Sequence, residues 1–220
     1  MRINVYVAQS TGLSRRQADK LIADGKVTIN NQLASPGDLV DDQDIISLND
    51  QPIKPIELQL VLINKPVNYV VSRNGQGAKT IYDILPHSLA KLKPVGRLDK
   101  DSSGLLLLTN DGKLAQRLSH PSYNKTKIYN LNLNKPLKDE DRIRISLGVK
   151  LEDGISRLRI SDLTHDRCSL TVTMSEGRNR QIRRTFQKLG YQVIGLHRVS
   201  FGDYSINQLK PGQWESIPIK

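Results

Sequence analysis

Apolar residues at helical spacing predict a helix near the beginning of the chain. Ala18, Leu21 and Ile22 repeat at i, i+3 and i+4, which places them on one face of a helix. A Ser-x-x-Gln pattern at Ser14 is typical of a capping box, and Gly25 is suitable for a left-handed C-cap. The sequence therefore predicts a helix between these two residues, with its apolar face turned inward.

Short apolar stretches on both sides of this helix predict further elements of a small α/β unit. Residues 3–9 carry apolar side chains that suggest a short helix, and Val27–Ile29 is β-branched, which favours a strand. Asn30 and Asn31 can adopt the positive φ of a tight hairpin turn, and residues 44–48 suggest another strand. Residues 1–48 are thus expected to form one module.

Residues 49–57 lack the periodic spacing of apolar residues seen in residues 1–48. Residues 49–57 contain Pro52 and Pro55 and little periodicity, which predicts a linker. Residues 58–220 then form a larger unit. Its pattern predicts strands at 58–63, 126–133, 157–160 and 169–173 and a helix at 178–189. Strands and helices do not alternate regularly, so we expect an α+β fold rather than a parallel β-α-β stack.

The net charge of the chain indicates which class of partner it binds. The formal net charge is +11 and the pI about 9.8, which favours nucleic acid or an anionic membrane surface as partner. Residues 1–48 carry a net charge of −1, whereas residues 49–220 carry +12. A merely soluble, highly charged surface is the alternative that composition leaves open.

Composition also argues against several other classes. Cys168 is the single cysteine and the four histidines are scattered, so no zinc-ligand spacing or disulfide framework is present. No apolar run approaches the roughly twenty residues of a membrane span, and the N-terminus lacks a signal-peptide pattern. We therefore expect a cytoplasmic protein without a cofactor or metal.

A candidate carboxylate lies in the glycine-bounded segment Gly96–Gly104, ahead of an apolar run. An Asp in such a loop is usually a cap or turn residue. Asp99, however, is flanked by Arg97 and Lys100, which would keep the carboxylate ionised. An ionised carboxylate can act as nucleophile or base.

Two later segments carry features of RNA binding. Tyr129 follows Lys125 and Lys127, so its ring is either an ordinary half-buried aromatic or a platform that stacks on a base. Four arginines lie at a junction from strand to helix, where helix donors would favour phosphate, although a solvated basic face is the common alternative. They are Arg178, Arg180, Arg183 and Arg184.

The N-terminal helix offers a third basic surface. Arg15, Arg16 and Lys20 lie on it, and Arg16 and Lys20 are four residues apart, so they share a face and could follow one phosphate backbone.

The segments around Asp99, around Tyr129 and around the four arginines, in this order, resemble the motifs of the bacterial ribosomal RNA pseudouridine synthases of the Rsu type. The resemblance covers residues 59–220 and rests mainly on the Gly-Arg-Leu-Asp run with its Gly-Leu-Leu-Leu-Leu-Thr-Asn-Asp-Gly sequel. Residues 1–48 resemble the "S-four" RNA-binding domain. Two departures are Asn68, where the family often has Gly, and Ser102, where Thr is frequent.

The resemblance implies a fold and a site. It implies a mixed, mainly antiparallel sheet in the catalytic domain, with Asp99 as the catalytic carboxylate and Tyr129 as the ring that stacks on the base. It also implies that Arg183 pairs with Asp99 and that Leu196 is an apolar residue under the base. Residues expected to bind RNA are those named above: Arg15, Arg16, Lys20, Arg97, Lys100, Lys125, Lys127, Arg178, Arg180 and Arg184.

The implied activity is the isomerisation of a flipped-out uridine in ribosomal RNA. The expected partner is ribosomal RNA or a pre-ribosomal particle, and the expected state a monomer. Large-subunit RNA is favoured over small-subunit RNA because more of the family acts there. Two alternatives are a non-catalytic RNA-binding or ribosome-assembly protein, which would not need Asp99, and a glycosidic hydrolase, which generally needs two carboxylates.

Overall fold

The computed structural model describes residues 1–219, apart from the side chain of Pro121, and it divides them into two compact units. The first unit comprises Met1–Gln59 together with Ile219, and the second comprises Leu60–Pro218. Each unit has its own apolar core, so each is described by itself.

The first unit begins with the two helices that the sequence predicts. Ser14 caps the second helix: its side chain accepts from the backbone N–H of Gln17, and the Gln17 side chain accepts in return from the backbone N–H of Ser14. Asn30 and Asn31 have φ values of 49° and 68°, as a hairpin turn requires. The elements are α1 (Ile3–Thr11), α2 (Arg15–Ala23), β1 (Val27–Ile29), β2 (Gln32–Leu33), β3 (Ile46–Leu48) and β4 (Gln51–Pro52).

The segment predicted as a linker is partly a strand. Asn49 and Asp50 both have positive φ and reverse the chain, so that Gln51 pairs with Leu48 in an antiparallel ladder. Pro52 is compatible with this strand because β4 lies at the edge of the sheet, where a missing N–H costs little. The two prolines favoured the prediction of a linker, whereas the turn at Asn49 and Asp50 allows a strand to form there.

The second unit is built on a mixed sheet in the order β11-β12-β8-β13-β7-β5-β15, with β6 and β14 attached to β7 and β13. Its pairings are antiparallel except that of β7 with β13, which is parallel. The strands are β5 (Leu60–Lys65), β6 (Lys93–Val95), β7 (Ser103–Thr109), β8 (Lys127–Leu133), β9 (Val149–Leu151), β10 (Gly154–Ser156), β11 (Arg159–Ser161), β12 (Ser169–Met174), β13 (Val193–Phe201), β14 (Tyr204–Ser205) and β15 (Trp214–Ile217). The helices are α3 (Gly112–Ser119), α4 (Asp139–Leu147) and α5 (Gln181–Lys188), with short 3-10 turns at Ile81–Asp83, His87–Leu89 and Pro121–Tyr123.

This architecture confirms the predicted α+β fold and places the core on the central strands. Residues 105–108 of β7 are fully buried, as expected of a continuous apolar run in a strand that is covered on both faces. The predicted strands are present, with ends displaced by at most two residues.

The predicted helix at 178–189 begins later than expected. Arg180 has φ 47° and ψ 31°, a left-handed conformation that cannot belong to a right-handed helix, so α5 begins at Gln181. Arg178 and Arg180 therefore lie in the loop before the helix. None of the helices within residues 1–219 is both long and apolar enough to cross a membrane.

Candidate active site

A cleft of about 560 Å³ opens in the second unit where three segments meet. They are the loop before β7, the paired strands β8 and β13, and the loop before α5. Register places Tyr129 of β8 directly opposite Arg198 of β13. The cleft is lined by the sequence-predicted residues Arg97, Asp99, Lys125, Lys127, Tyr129, Arg178, Arg180, Arg183 and Leu196, with Leu98, Ser102, Met174, Glu176, Arg198 and Phe201 among the others.

Asp99 lies in the cleft wall with its side chain 33% exposed, so the carboxylate is accessible and yet partly shielded. The nearest cation is Arg180, whose Nη1 is 3.6 Å from Asp99 Oδ2. The Asp99 carbonyl accepts a hydrogen bond from the backbone N–H of Ser102, which closes the turn that presents the carboxylate. This geometry suits a carboxylate that must meet a substrate.

A second carboxylate, Asp101, organises the arginines. Arg180 donates to both of its oxygens at 3.0 Å, and Arg183 Nε lies 3.3 Å from Asp101 Oδ2. The hydrogen bonds from Arg180, and next the charge of Arg183, hold the pKa of Asp101 below its usual range. Asp101 therefore stays ionised and fixes two guanidinium groups beside Asp99.

The predicted ion pair between Arg183 and Asp99 is wrong. Arg183 reaches Asp101 instead, and it donates to the Asp101 carbonyl at 2.8 Å and the Val193 carbonyl at 2.7 Å. Its side chain is only 11% exposed, and burial lowers its pKa. Arg180 reaches Asp99 because its left-handed backbone, ahead of α5, directs it over the loop.

A buried lysine that the sequence reasoning missed lies beneath this loop. Lys65, at the end of β5, is fully buried and donates to Ser102 O at 2.6 Å and Pro66 O at 3.0 Å. Burial lowers its pKa to about 8, although Asp101 and Asp99 oppose the shift. A lysine that follows the apolar run Leu60–Ile63 in the same strand, just before a proline, was the available signal.

Two departures from the family pattern have simple structural explanations. Asn68 has φ 71°, a left-handed conformation in which Asn is the common substitute for Gly. Its N–H donates to Lys100 O at 2.7 Å, which ties it to the Asp99 loop. Ser102 is 1% exposed, and its oxygens accept from Lys65 and Arg183. Both positions thus retain a structural role in holding the loop.

Tyr129 and Leu196 form apolar walls of the cleft. Each is 8% exposed and belongs to the core cluster, while both also line the cleft with Asp99. The two alternative interpretations of Tyr129 are therefore compatible, since one ring can pack on the core and present an edge or face to the cleft. Their roles toward a base remain predictions.

The two lysines before Tyr129, Lys125 and Lys127, both have partners within the protein. Lys127 Nζ donates to the carbonyls of Lys125, Ser175 and Glu176 and lies 5.2 Å from the centre of the Phe201 ring. Burial, and next the charge of Arg198, lowers its pKa. Lys125 pairs with Asp203 at 3.3 Å. Lys127 thus holds the loop before α5, and its contact with RNA stays a prediction.

The remaining basic residues divide between the cleft and internal pairs. Arg178 Nη1 and Arg184 Nη2 lie 3.0 Å and 2.6 Å from the two oxygens of Asp153, whose pKa is lowered chiefly by the Arg184 hydrogen bond. Arg97 is exposed in the cleft, whereas Lys100 does not line it. The sequence could not show which cations were already paired.

Arg198 is a further cleft residue that sequence reasoning missed. It is 2% exposed, donates from Nε to Leu105 O at 2.7 Å, and stacks 5.0 Å from the centre of the Phe201 ring. It therefore places a buried positive charge beside Tyr129 and under the cleft.

In the first unit, α2 has the expected amphipathic arrangement. Ala18 and Ile22 are buried, while Arg15, Arg16 and Lys20 are exposed. The helix therefore presents three cations on its outer surface.

Comparison with known proteins gives these features a context. Residues 59–188 match the family described as RNA pseudouridylate synthase, and residues 1–46 match the S4 domain. An uncharacterized RNA pseudouridine synthase of Aquifex aeolicus (strain VF5) is 34% identical over 99% of this chain and 90% of its own.

Two relatives with more specific names are nearly as similar in sequence. The dual-specificity RNA pseudouridine synthase RluF of Escherichia coli (strain K12) is 33% identical over 99% of this chain and 75% of its own. The ribosomal small subunit pseudouridine synthase A of Haemophilus influenzae is 33% identical over 99% of this chain and 96% of its own. A crystal structure of a pseudouridylate synthase superposes with a TM-score of 0.69 at 31% identity, over 99% of this chain and 96% of that one.

Proposed function

We propose that this protein, which belongs to the RNA pseudouridine synthase family and carries an S4 domain, has a uridine in ribosomal RNA as its substrate. As a member of this family the protein is an isomerase that acts on RNA. Relatives named for the ribosomal small subunit support the assignment to ribosomal RNA. Within ribosomal RNA we favour the large subunit on the family resemblance and not on these names.

The proposal assigns the chemistry to Asp99. The observation that carries it is an accessible carboxylate in a cleft walled by Tyr129 and Leu196, with Arg180 3.6 Å away. Isomerisation breaks the bond from uracil N1 to C1′ of the ribose and joins C1′ to C5. The proton on C5 is released and N1 gains one, so no oxidant or cofactor is needed. Asp99 either attacks C1′ as N1 leaves and is displaced when C5 bonds to C1′, or removes the proton on C2′ as N1 leaves and returns it when the C1′–C5 bond forms.

The surroundings of Asp99 fit these demands. A uridine within a stacked helix hides its glycosidic bond, so the base must leave the stack and find a new partner. Tyr129 and Leu196 offer that apolar contact. The paired Asp101, Arg180 and Arg183 hold the Asp99 loop in place, and such fixed geometry contributes to catalysis.

Release of tritium from ribosomal RNA labelled at uracil C5 tests the proposal. The wild-type protein should release tritium, and Asp99→Asn should keep the melting temperature and RNA affinity but lose turnover, because an amide is neither nucleophile nor base. Asp50→Asn, in the turn of the first unit, is the matched control and should stay active.

Three outcomes would count against parts of the proposal. Free uracil in the reaction would indicate a hydrolase instead of an isomerase. Absence of tritium release with both ribosomal RNAs would indicate another RNA substrate. Substantial turnover by the folded Asp99→Asn protein would remove Asp99 from the mechanism. Mapping pseudouridines in the two RNAs then decides the subunit and the site.

We further propose that the first unit docks on a ribosomal RNA helix through Arg15, Arg16 and Lys20. Neutralising all three to Gln should reduce the log–log salt slope of RNA binding by about 2.1 to 2.7, at roughly 0.7 to 0.9 for each lost phosphate contact. Slow turnover at high RNA concentration should persist. An unchanged slope would make α2 a structural element only.

A further inference from the structure

A second concavity of about 830 Å³ adjoins the cleft in the same unit. This side groove runs between α4 and the strands β11 and β12, and its defining residues are Arg142, Ile143, Arg157, Arg159, Thr173 and Met174. Met174 and Ser175 line both the side groove and the cleft. The two concavities therefore lie next to each other, with Met174 and Ser175 between them.

The arginines of the side groove differ from those of the cleft in their partners. Arg142 and Arg159 are exposed, and neither side chain has an ion pair or hydrogen bond within residues 1–219. Arg157 is held by its Nε, which donates to Leu147 O at 3.1 Å. These guanidinium groups thus remain available to an anion from outside.

The one acidic side chain among the described lining residues does not cancel this charge. Asp139 forms an ion pair with Arg167, whose hydrogen bond is the main cause of the lowered Asp139 pKa, and the charge of Arg142 lowers that pKa further without forming an ion pair. The side groove consequently has a local excess of positive charge, and a polyanion is the partner that such an excess favours.

The floor of the side groove is apolar. Leu158 and Met174 are buried there, Ile160 is half-buried, and Ile143 is 58% exposed at the rim. Arginines at the edge and apolar side chains between them match the two faces of a single-stranded nucleic acid, whose phosphates need cations and whose bases need apolar contact. The volume lies within the roughly 300–1,000 Å³ of pockets that bind compact organic ligands, so it can hold only a short stretch of strand.

We propose that the side groove binds the single-stranded RNA next to the flipped uridine, with Arg142 and Arg159 on its phosphates. The inference rests on the proposed function, since it assigns the neighbours of the target nucleotide. RNA is the occupant we favour because the side groove adjoins the cleft at Met174–Ser175 and because neither Arg142 nor Arg159 forms an ion pair within residues 1–219.

The test measures binding, separately from turnover. A fluorescein-labelled oligouridylate of 12 nucleotides is titrated against the full chain and its affinity is followed by anisotropy at several salt concentrations. Arg142→Gln/Arg159→Gln should weaken binding about tenfold, or ~1.4 kcal/mol. It should also lower the salt slope by about 1.4, from two contacts to single-stranded phosphate.

Matched variants make the result specific. Lys91→Gln/Lys113→Gln removes two exposed charges outside the side groove and the cleft, and should leave affinity and slope within twofold of wild type. Arg142→Lys/Arg159→Lys should restore most of the affinity, because it restores the charge. Melting temperatures of all variants should agree within a few degrees.

Two results would overturn the inference. One is an oligouridylate affinity that Arg142→Gln/Arg159→Gln leaves unchanged in a folded protein. The other is photo-crosslinking of a 4-thiouridine 12-mer that labels the cleft but no peptide from residues 139–147 or 157–160. Because neither measurement needs turnover, failure of the proposed function would be seen separately, as absence of tritium release by the wild type.

Discussion

Gly104 lies where β7 pairs with the backbone of β13, and its replacement by Ala should disturb the cleft through β13. Gly104 is the register partner of Arg198 in the parallel pairing of the two strands. A Cβ atom there would lie 2.2 Å from the Arg198 carbonyl oxygen and 2.5 Å from its nitrogen, and the residue has φ +106°. Both atoms are backbone, so no side-chain rotation can relieve the contact.

The cost of Gly104→Ala has two parts. A positive φ costs roughly 1–2 kcal/mol for a residue with a Cβ. The strands must also separate by about 0.8 Å to restore the 3.0 Å below which Cβ contacts are essentially never found, and such overpacking typically costs about 1–3 kcal/mol. Together they predict a loss of about 2–5 kcal/mol, which lowers the melting temperature by roughly 4–20 °C in a unit of this size.

Thermal and urea denaturation measure this loss, and Gly77→Ala is the matched control. Gly77 has φ +88°, but a Cβ there meets nothing within 4 Å, so only the first part of the cost applies. Turnover by Gly104→Ala should fall even well below its melting temperature, because β13 carries Leu196 and Arg198. Equal destabilisation by the two substitutions would refute the steric argument.

Three further predictions concern the cleft. Tyr129→Leu should reduce kcat more than RNA affinity, measured by tritium release and filter binding, because affinity is spread over many phosphate contacts; equal losses would favour a purely structural ring. Arg180→Gln removes the main cause of the lowered Asp101 pKa, so the stability that this carboxylate contributes above its unfolded pKa, and that the wild type loses as the pH falls through the folded pKa, should become smaller; melting temperatures that superimpose on the wild type from pH 3 to 6 would contradict this. Lys65 has a pKa of about 8 in the folded protein against 10.5 unfolded, so the unfolded state binds more protons between these values and its contribution to stability rises with pH there. Lys65→Met should abolish that rise in urea denaturation at pH 7.5 and 9.5, and an unchanged pH slope would show that the amine is not desolvated.

Local elements followed from the sequence because their causes are local. The capping box at Ser14 and the Asn30–Asn31 turn depend on residues a few positions apart, and both were predicted correctly. The strand Gln51–Pro52 was missed because its pairing with β3 depends on the turn at Asn49 and Asp50. The nearby prolines, Pro52 and Pro55, favoured a linker instead. A local pattern can thus be outweighed by one hydrogen-bonded partner that the sequence does not reveal.

The site was only partly predictable for a different physical reason. Asp99, Tyr129 and Leu196 line one cleft as expected, but the arginine nearest to Asp99 is Arg180 and not Arg183. That choice depends on the left-handed conformation of one residue ahead of α5, which sequence spacing does not encode. Lys65 escaped notice because burial of a lysine is a property of the folded surroundings.

The net charge of the chain overstates the number of cations that are available to RNA. Residues 49–220 carry +12, yet several of the predicted RNA-binding cations are ion-paired or donate to backbone carbonyls: Lys125, Lys127, Arg178, Arg180 and Arg184. A paired cation releases few counterions when RNA binds, because it must first give up its carboxylate. The salt slope of the catalytic unit should therefore follow the unpaired cations, such as Arg142 and Arg159, and fall well short of the slope that the formal charge would give.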